Sequence, residues 1–487
     1  MQVLDVNQWS QMEFGETQLG DKRRTPRLVQ LGAKLAENPG GTLSATIPEM
    51  SILKRGYELF SRDPVTHSSV MKPHMDRTRR AMLLPGDYLV TEDTTSLDFE
   101  SHLAMRDMGW VDNGHQGLHV HSALATRVER WDGSTPLVTI VGLADQQVWT
   151  RKGKPKNRGE SRAQRRKRVR ESQRWAKSVA KTGRPPEGVR LTYLADRESD
   201  IFEVFSGCQS NGWEFIIRSK EPRRLFDGEG SIWDAVAKTS LLGTKCISLR
   251  AVSATLDRKG SAAREATVEI RATSVKVRCP KDRRPQLEPV VMNVVEVREI
   301  APPSEVEPLH WVLLTMWKCD SLEAVWRVVE SYASRWLIEE YHKVLKTGTG
   351  IEKAQLSTRH SMESYLGVLA IVAVRILNMK LLAKTHPDDP FPTEVLGPEF
   401  MTILEARFGK PKDGWTNATV LIWIARFGGF HARKSDGLPG WMTIWRGWHR
   451  LMAMMEGIEL IRGKKHKRRA RRTPHSGKPR PTHAMLE

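Results

Sequence analysis

The stretch YASRWLIEEYHKVLKTG, residues 332–348, decides how the rest of the chain is read. It closes a helical pattern that spans residues 321–346. At about 100° per residue, Tyr332, Arg335, Glu339 and Lys346 fall within about 60° of one another, Lys343 joins that face, and Glu340 points about 80° away. One carboxylate ringed by cations and a phenol has two readings. Glu339 paired with Arg335 and Lys343 at i,i−4 and i,i+4 is an ordinary solvated helix face. Alternatively, the carboxylate holds a metal ion and the cations hold phosphate.

Two other acids bear on the choice. Asp93 is read as closing a strand in Glu92-Asp93-Thr94-Thr95-Ser96, and Asp196 as closing another in Tyr193-Leu194-Ala195-Asp196-Arg197-Glu198. Acids at strand ends in an open α/β sheet lie where sites form. If the two strands are neighbours and the Glu339 helix packs across them, three carboxylates converge. Such a set suits Mg²⁺ or Mn²⁺, which take hard oxygen donors and leave positions for water and phosphate. Two ions about 4 Å apart activate the attacking oxygen and stabilise the leaving one in phosphodiester transfer.

Outward from these motifs, residues 1–66 read as small helices, with Leu28, Leu31 and Leu35 and then Leu53, Tyr57 and Phe60 at helical spacing. From about residue 87 the period changes to short strands at 88–91, 118–125, 136–143, 189–195 and 215–218, with helices at 160–181 and from about Ser199. That mixture predicts an α/β domain. Residues 222–310 alternate polar and apolar, as in an antiparallel β insertion, before a strand at 311–315 and a helix at 362–384. Residues 386–398, with Pro387, Pro390, Pro392 and Pro398, read as a linker. Beyond them, 418–427 and 441–455 are helical. The second places Trp441, Ile444, Trp445, Trp448, Leu451, Met452 and Met455 on one wide stripe, which is core more often than partner surface. From Gly463 a basic, proline-containing tail is expected to be disordered.

The 487 residues hold 77 Lys and Arg against 57 Asp and Glu, a formal charge of +20. A polyanionic partner follows, either nucleic acid or an anionic membrane surface. The excess is local: residues 151–184 hold 15 Lys or Arg against Glu160 and Glu171, residues 461–480 hold 10 and no acid, and the remainder is near −3. A lone basic run is often a solvated face or a tail, but two in one chain favour nucleic acid. Mean hydropathy is −0.46, and the longest apolar run, 366–374, is short of a bilayer span, so no membrane segment is expected. No signal peptide is visible, which predicts a cytoplasmic location.

Cys208, Cys246, Cys279 and Cys319 lie too far apart for a zinc or disulfide pattern. His115, His119 and His121 form H-x3-H-x-H without a fourth ligand at suitable spacing, so they are read as strand histidines. No Walker loop is found, and no nucleotide cofactor is expected. Asp98, Glu100 and Asp200 fit the acidic motifs less well than Asp93 and Asp196.

At these residues the chain resembles the DD(E) cut-and-paste transposases of bacterial insertion sequences, specifically the IS-four family typified by the transposase of transposon Tn-five. The family's Y-(2)-R-(3)-E-(6)-K signature is present without a gap as Tyr332, Arg335, Glu339 and Lys346, and EDTTSL and DRESDI match its two aspartate contexts. Further similarity covers LGDKRRTPRL at 19–28, which contains Arg27, FIIRSKEPR at 215–223, and IARFGGF at 424–430.

The resemblance implies a ribonuclease H-like catalytic domain with an antiparallel β insertion, flanked by helical N- and C-terminal domains. The expected boundaries are 1–66 for DNA-end binding, 67–385 for catalysis with the insertion at about 222–310, 386–462 for dimerisation, and 463–487 for the tail. Asp93, Asp196 and Glu339 are implied as the catalytic, metal-binding triad with two Mg²⁺ or Mn²⁺ ions. Tyr332, Arg335, Lys343, Lys346, Arg197, Arg218, Lys220 and Arg27 are implied as DNA contacts, and Trp311 and Trp336 as holders of a flipped base. The expected activity is excision at terminal inverted repeats through a hairpin, then strand transfer into target DNA by a homodimer on double-stranded DNA. A catalytically silent DNA-binding regulator and a stand-alone nuclease are the alternatives.

Overall fold

A computed structural model describes residues 5–40, 42–47, 49–111, 114–151, 171, 173–249, 260, 262–281, 287–304, 306–433 and 436–470. The chain divides into two compact units, Met1–Thr385 and His386–Glu487.

The first unit opens with helices α1 (Val6–Phe14), α2 (Arg24–Glu37), α3 (Leu43–Thr46), α4 (Met50–Phe60) and α5 (His67–Ala81). Three long strands follow, β1 (Gly86–Asp98), β2 (Gly117–Asp132) and β3 (Thr135–Trp149). Next come α6 (Gln173–Thr182), β4 (Val189–Ala195), α7 (Phe202–Ser210), β5 (Glu214–Arg218) and α8 (Ile232–Ala237). Then β6 (Gly243–Leu249), β7 (Arg264–Val277), β8 (Val290–Glu299) and β9 (His310–Thr315) lead into α9 (Leu322–Ala333), α10 (Trp336–Lys343) and α11 (Arg359–Thr385). The basic helix expected at 160–181 falls largely on residues outside the described ones; α6 is its described part.

Among the described residues, nine strands form one sheet in the order β3-β2-β1-β4-β5-β9-β8-β7-β6. β1, β4 and β5 run parallel and every other pairing is antiparallel. Strands β6–β8 of the expected insertion therefore make no sheet of their own. They extend the central one through β9, which pairs with both β5 and β8.

Alternation along the strands sends neighbouring side chains to opposite faces. On one face Tyr88, Val90, Tyr193, Phe215 and Ile217 pack with Trp175 of α6 and Phe202 and Phe205 of α7. On the other, α10 packs against β1, and α9 and α11 against β3. Helix α11 is long and apolar enough to cross a membrane, but most of it is buried inside this unit, as befits a core helix apolar on all sides.

Two expectations about the site elements are corrected. Asp93 does not end its strand, because β2 pairs with β1 all the way to Asp98; what ends beside it is the parallel ladder, whose last pair is Glu92 with Ala195. The single helix over 321–346 is broken at Ser334 and Arg335 into α9 and α10, and a π-helical turn, Val344–Gly348, follows α10. Ser334 Oγ donates to the Ser331 carbonyl at 2.6 Å, a local bond of the kind that competes with helix continuation.

The second unit contains α12 (Pro398–Phe408), α13 (Asn417–Phe427) and α14 (Trp441–Ala470). Trp441, Ile444, Trp445 and Leu451 are buried, and the Trp448 ring lies 5.2 Å from Phe400, so this part of the aromatic stripe is core. Helices α13 and α14 cross at Gly428 and Gly447, where an added Cβ would come within 1.8 Å of the Thr443 and Ile424 carbonyl oxygens respectively. The tail expected from Gly463 is helical to Ala470, since its Lys and Arg are good helix formers and no proline precedes Pro474. Residues 471–487 lie outside the described ones.

Candidate active site

Asp93 and Asp196 each follow the last parallel pair of β1 and β4, Glu92 with Ala195, Asp93 still within β1 and Asp196 just past the end of β4. Asp93 Oδ1 accepts the Thr94 N–H at 2.8 Å. Asp196 caps a 3-10 turn, Arg197–Ser199, and accepts the Glu198 N–H at 2.8 Å. Glu339 stands in the first turn of α10, the helix packed on β1, and is hydrogen-bonded to Arg335. Burial pushes the Asp93 carboxyl up to about 7; the Asp196 charge adds to this, and the Glu339 charge contributes further. Asp196 and Glu339 thus both act electrostatically on Asp93.

The cations and aromatics fall around them unevenly. Arg218, at the end of β5, donates to the His310 carbonyl at 3.0 Å, and its buried Nε has no hydrogen-bond partner among the described residues. Its side chain lies in the electrostatic reach of Tyr332, Arg197, Arg335 and Asp196, and burial lowers its pKa. The Arg335 guanidinium sits 5.9 Å from the Tyr332 ring centre, and Trp311 meets that ring edge-on at 5.2 Å. Trp336 is 44% exposed and donates from its indole to Glu340 at 3.2 Å. Lys346 is half-buried, while Lys343, Lys220 and Arg197 are exposed. Arg27 is half-buried on α2, and no described contact joins it to the acids.

Four polar residues near the acids escape the sequence reading or are discounted there. His342 is buried with Nδ1 3.7 Å from Asp93 Oδ2, and burial drives it down to about 3, so it is neutral. Its spacing of three from Glu339 on one helix is the signal that was available. Glu92 is wholly buried on the opposite face of β1, where Oε2 accepts from His121 Nε2 at 3.0 Å and from the Tyr193 hydroxyl at 3.2 Å. His119 Nδ1 lies 3.1 Å from Ser96 Oγ. Asp200 is buried against Arg223.

Asp98, Glu100 and His115 bring their ligand atoms within 4.8 Å of one another on the surface. Asp98 is five residues beyond Asp93, about 17 Å along the strand, so this is a separate group.

The chemistry of the donor set fits a divalent cation. The donors are hard carboxylate oxygens; burial, with the Asp196 and Glu339 charges adding to it, pushes Asp93 up to about 7, and a bound cation offsets both effects. Comparison with known families decides the class. A transposase DNA-binding model matches residues 6–65, and a transposase DDE domain model matches residues 106–375, more than half of the chain. The chain belongs to the DDE transposase family. The transposase's N-terminal match takes in α1–α4 and Arg27, and its DDE match takes in Asp196 and Glu339 but begins beyond Asp93. A DDE domain implies a ribonuclease H-like α/β fold, with which the mixed sheet and its helices are consistent. The transposase is thus a DNA-binding protein of the metal-dependent nucleotidyl-transferase and endonuclease class.

Proposed function

We propose that this transposase is of the IS-four cut-and-paste kind and that Asp93, Asp196 and Glu339 hold its divalent ions, Mg²⁺ or Mn²⁺, two to a site. The observation that carries this reading is the adjacency of Asp93 and Asp196 at the end of the β1–β4 ladder, with the Glu339 helix packed on β1. When bound, the ions supply Lewis-acid stabilisation of charge developing on the phosphate oxygens. Arg218 and Arg335 hold the scissile phosphate, and the Arg218 Nε–H, without a partner among the described residues, is a donor suited to an anion. Arg197, Lys220, Lys343 and Lys346 grip neighbouring phosphates, and Tyr332 packs between Arg335 and Trp311. The exposed Trp336 face, with Trp311, stacks a base unpaired from the transposon end.

Each chemical step is an in-line displacement at phosphorus. Water cleaves one strand at the end, and the freed 3′-hydroxyl attacks the opposite strand to give a hairpin. A second water opens the hairpin, and the 3′-hydroxyl then attacks target DNA. The helices at residues 6–65, with Arg27, bind the terminal repeats. The unit His386–Glu487 pairs two protomers across two ends, a role favoured by the exposed Met454, Leu460 and Ile461 of α14.

The test incubates purified protein with a labelled end of its own element, a target plasmid and Mg²⁺. Hairpin and joined products are expected. Binding without cleavage identifies a silent regulator, and cleavage without joining identifies a nuclease.

A further inference from the structure

Asp200 ends the turn that Asp196 begins, and its side chain is fully buried. Its Oδ2 accepts the main-chain N–H of Lys220 at 2.7 Å and of Glu221 at 3.1 Å. Its Oδ1 accepts Nε–H of Arg223 at 2.6 Å, while the same guanidinium also donates to the Asp200 carbonyl. Arg223 in turn lies over the Phe205 ring at 5.1 Å. Burying an ion pair is costly unless its hydrogen bonds are filled, and this one has them filled. Such a pair is weak evidence for stability as such, so what it joins is the informative point.

One end of the linkage is the turn that carries Asp196 and Arg197. The other is the end of β5 and the segment that follows it, which carry Arg218 and Lys220. That segment is also tied to β9, through Ser219 N–H to the Val312 carbonyl at 2.7 Å and through Arg218 to the His310 carbonyl. Beyond those bonds, the Asp200 carboxylate links the two segments directly. Without it, Lys220 and Glu221 lose the acceptor that holds their backbone against the turn.

We propose that Asp200 is a positioning residue for DNA: it sets the spacing between the cations Arg197, Arg218 and Lys220 and the acids Asp93, Asp196 and Glu339. The phosphate gripped by the cations is then the one presented to the acids. This rests on the proposed roles of those residues. The sequence motif DRESDI contains Asp200 beside Asp196, and the spacing of four places them at the two ends of one short turn.

The experiment compares full-length Asp200→Ala, the double variant Asp200→Asn/Arg223→Gln and wild type. End-DNA affinity is measured across a salt series, and the nicked phosphate is mapped at saturating DNA with Mg²⁺. The double variant replaces the ion pair by an amide pair and keeps a carbonyl oxygen for the two main-chain donors.

For folded Asp200→Ala the expected result is about tenfold weaker binding, a salt slope shallower by about one phosphate contact, and nicks spread over adjacent phosphates. The double variant should recover a single nick position. A folded Asp200→Ala with wild-type affinity, salt slope and nick position overturns the proposal. So does a double variant that recovers thermal stability but not the nick position. Should Asp200→Ala fail to fold, Arg223→Gln alone carries the same comparison, and wild-type behaviour there overturns the proposal equally. Wild-type protein that binds ends without nicking them refutes the proposed chemistry instead, and the affinity and salt-slope measurements still decide on Asp200.

Discussion

Beneath the Glu339 helix, a chain of buried polar groups ties α10 to the sheet and to α5. His67 Nε2 lies 2.9 Å from Gln146 Oε1, and Gln146 Nε2 donates at 3.0 Å to both Ser122 Oγ and the Tyr341 hydroxyl. Ser122 is the cross-strand partner of Asp93, and Tyr341 follows Glu339 by two residues. A carbonyl acceptor at Nε2 requires that nitrogen to carry the proton. Burial lowers the His67 pKa, with the Gln146 bond opposing it in part, so the folded chain keeps this imidazole neutral where the unfolded chain protonates it. The unfolded state then binds more protons, and the His67 contribution to stability is lost as pH falls below the unfolded value of about 6.5. The slope is at most about 1.4 kcal/mol per pH unit, until the folded value is reached. His67→Gln removes that titration. The stability gap between wild type and His67→Gln, measured by denaturant unfolding, should therefore narrow from pH 7.5 to pH 5.5. A gap that widens on acidification contradicts the neutral assignment.

Among elements, the crossing of α13 and α14 depends on two residues without side chains. An added methyl at Gly447 meets the Ile424 carbonyl oxygen, a backbone atom that cannot swing aside. Gly447→Ala should destabilise the unit His386–Glu487 by about 1–3 kcal/mol or more, seen as earlier proteolysis within it while the Met1–Thr385 unit resists as in wild type. Equal resistance of both units contradicts the close crossing. β4 was legible to the residue, because Val189–Ala195 is a mostly apolar run of strand length followed by an acid. β1 was not, because Asp93-Thr94-Thr95-Ser96 looks like a strand end, and only pairing with β2 carries it on to Asp98. The break at Ser334 was illegible for a related reason: the helical spacing of Tyr332, Arg335 and Glu339 persists across it, and a local side-chain bond decides the geometry. His342 and Asp200 were missed or discounted because burial gives them their roles, and burial follows from neighbours distant in sequence.

For the whole molecule, the net charge of +20 is concentrated in residues 151–184 and 461–480, and neither stretch contains any of the three acids. The chain thus separates attraction of DNA, which is long-ranged and screened by salt, from chemistry on it, which depends on short-range contacts. That separation frames the most direct test, which uses isosteric amides so that shape is kept and only charge and ligand strength change. Asp93→Asn, Asp196→Asn and Glu339→Gln are each assayed for end binding by gel shift and for Mg²⁺-dependent nicking of the bound end. End affinity should stay within a few-fold of wild type and nicking should fall by at least about 10³-fold in all three, a loss of about 4 kcal/mol of transition-state stabilisation. Nicking at the wild-type rate in any one of them would contradict the assignment of that acid, and in all three, the placing of the metal-dependent chemistry at these carboxylates.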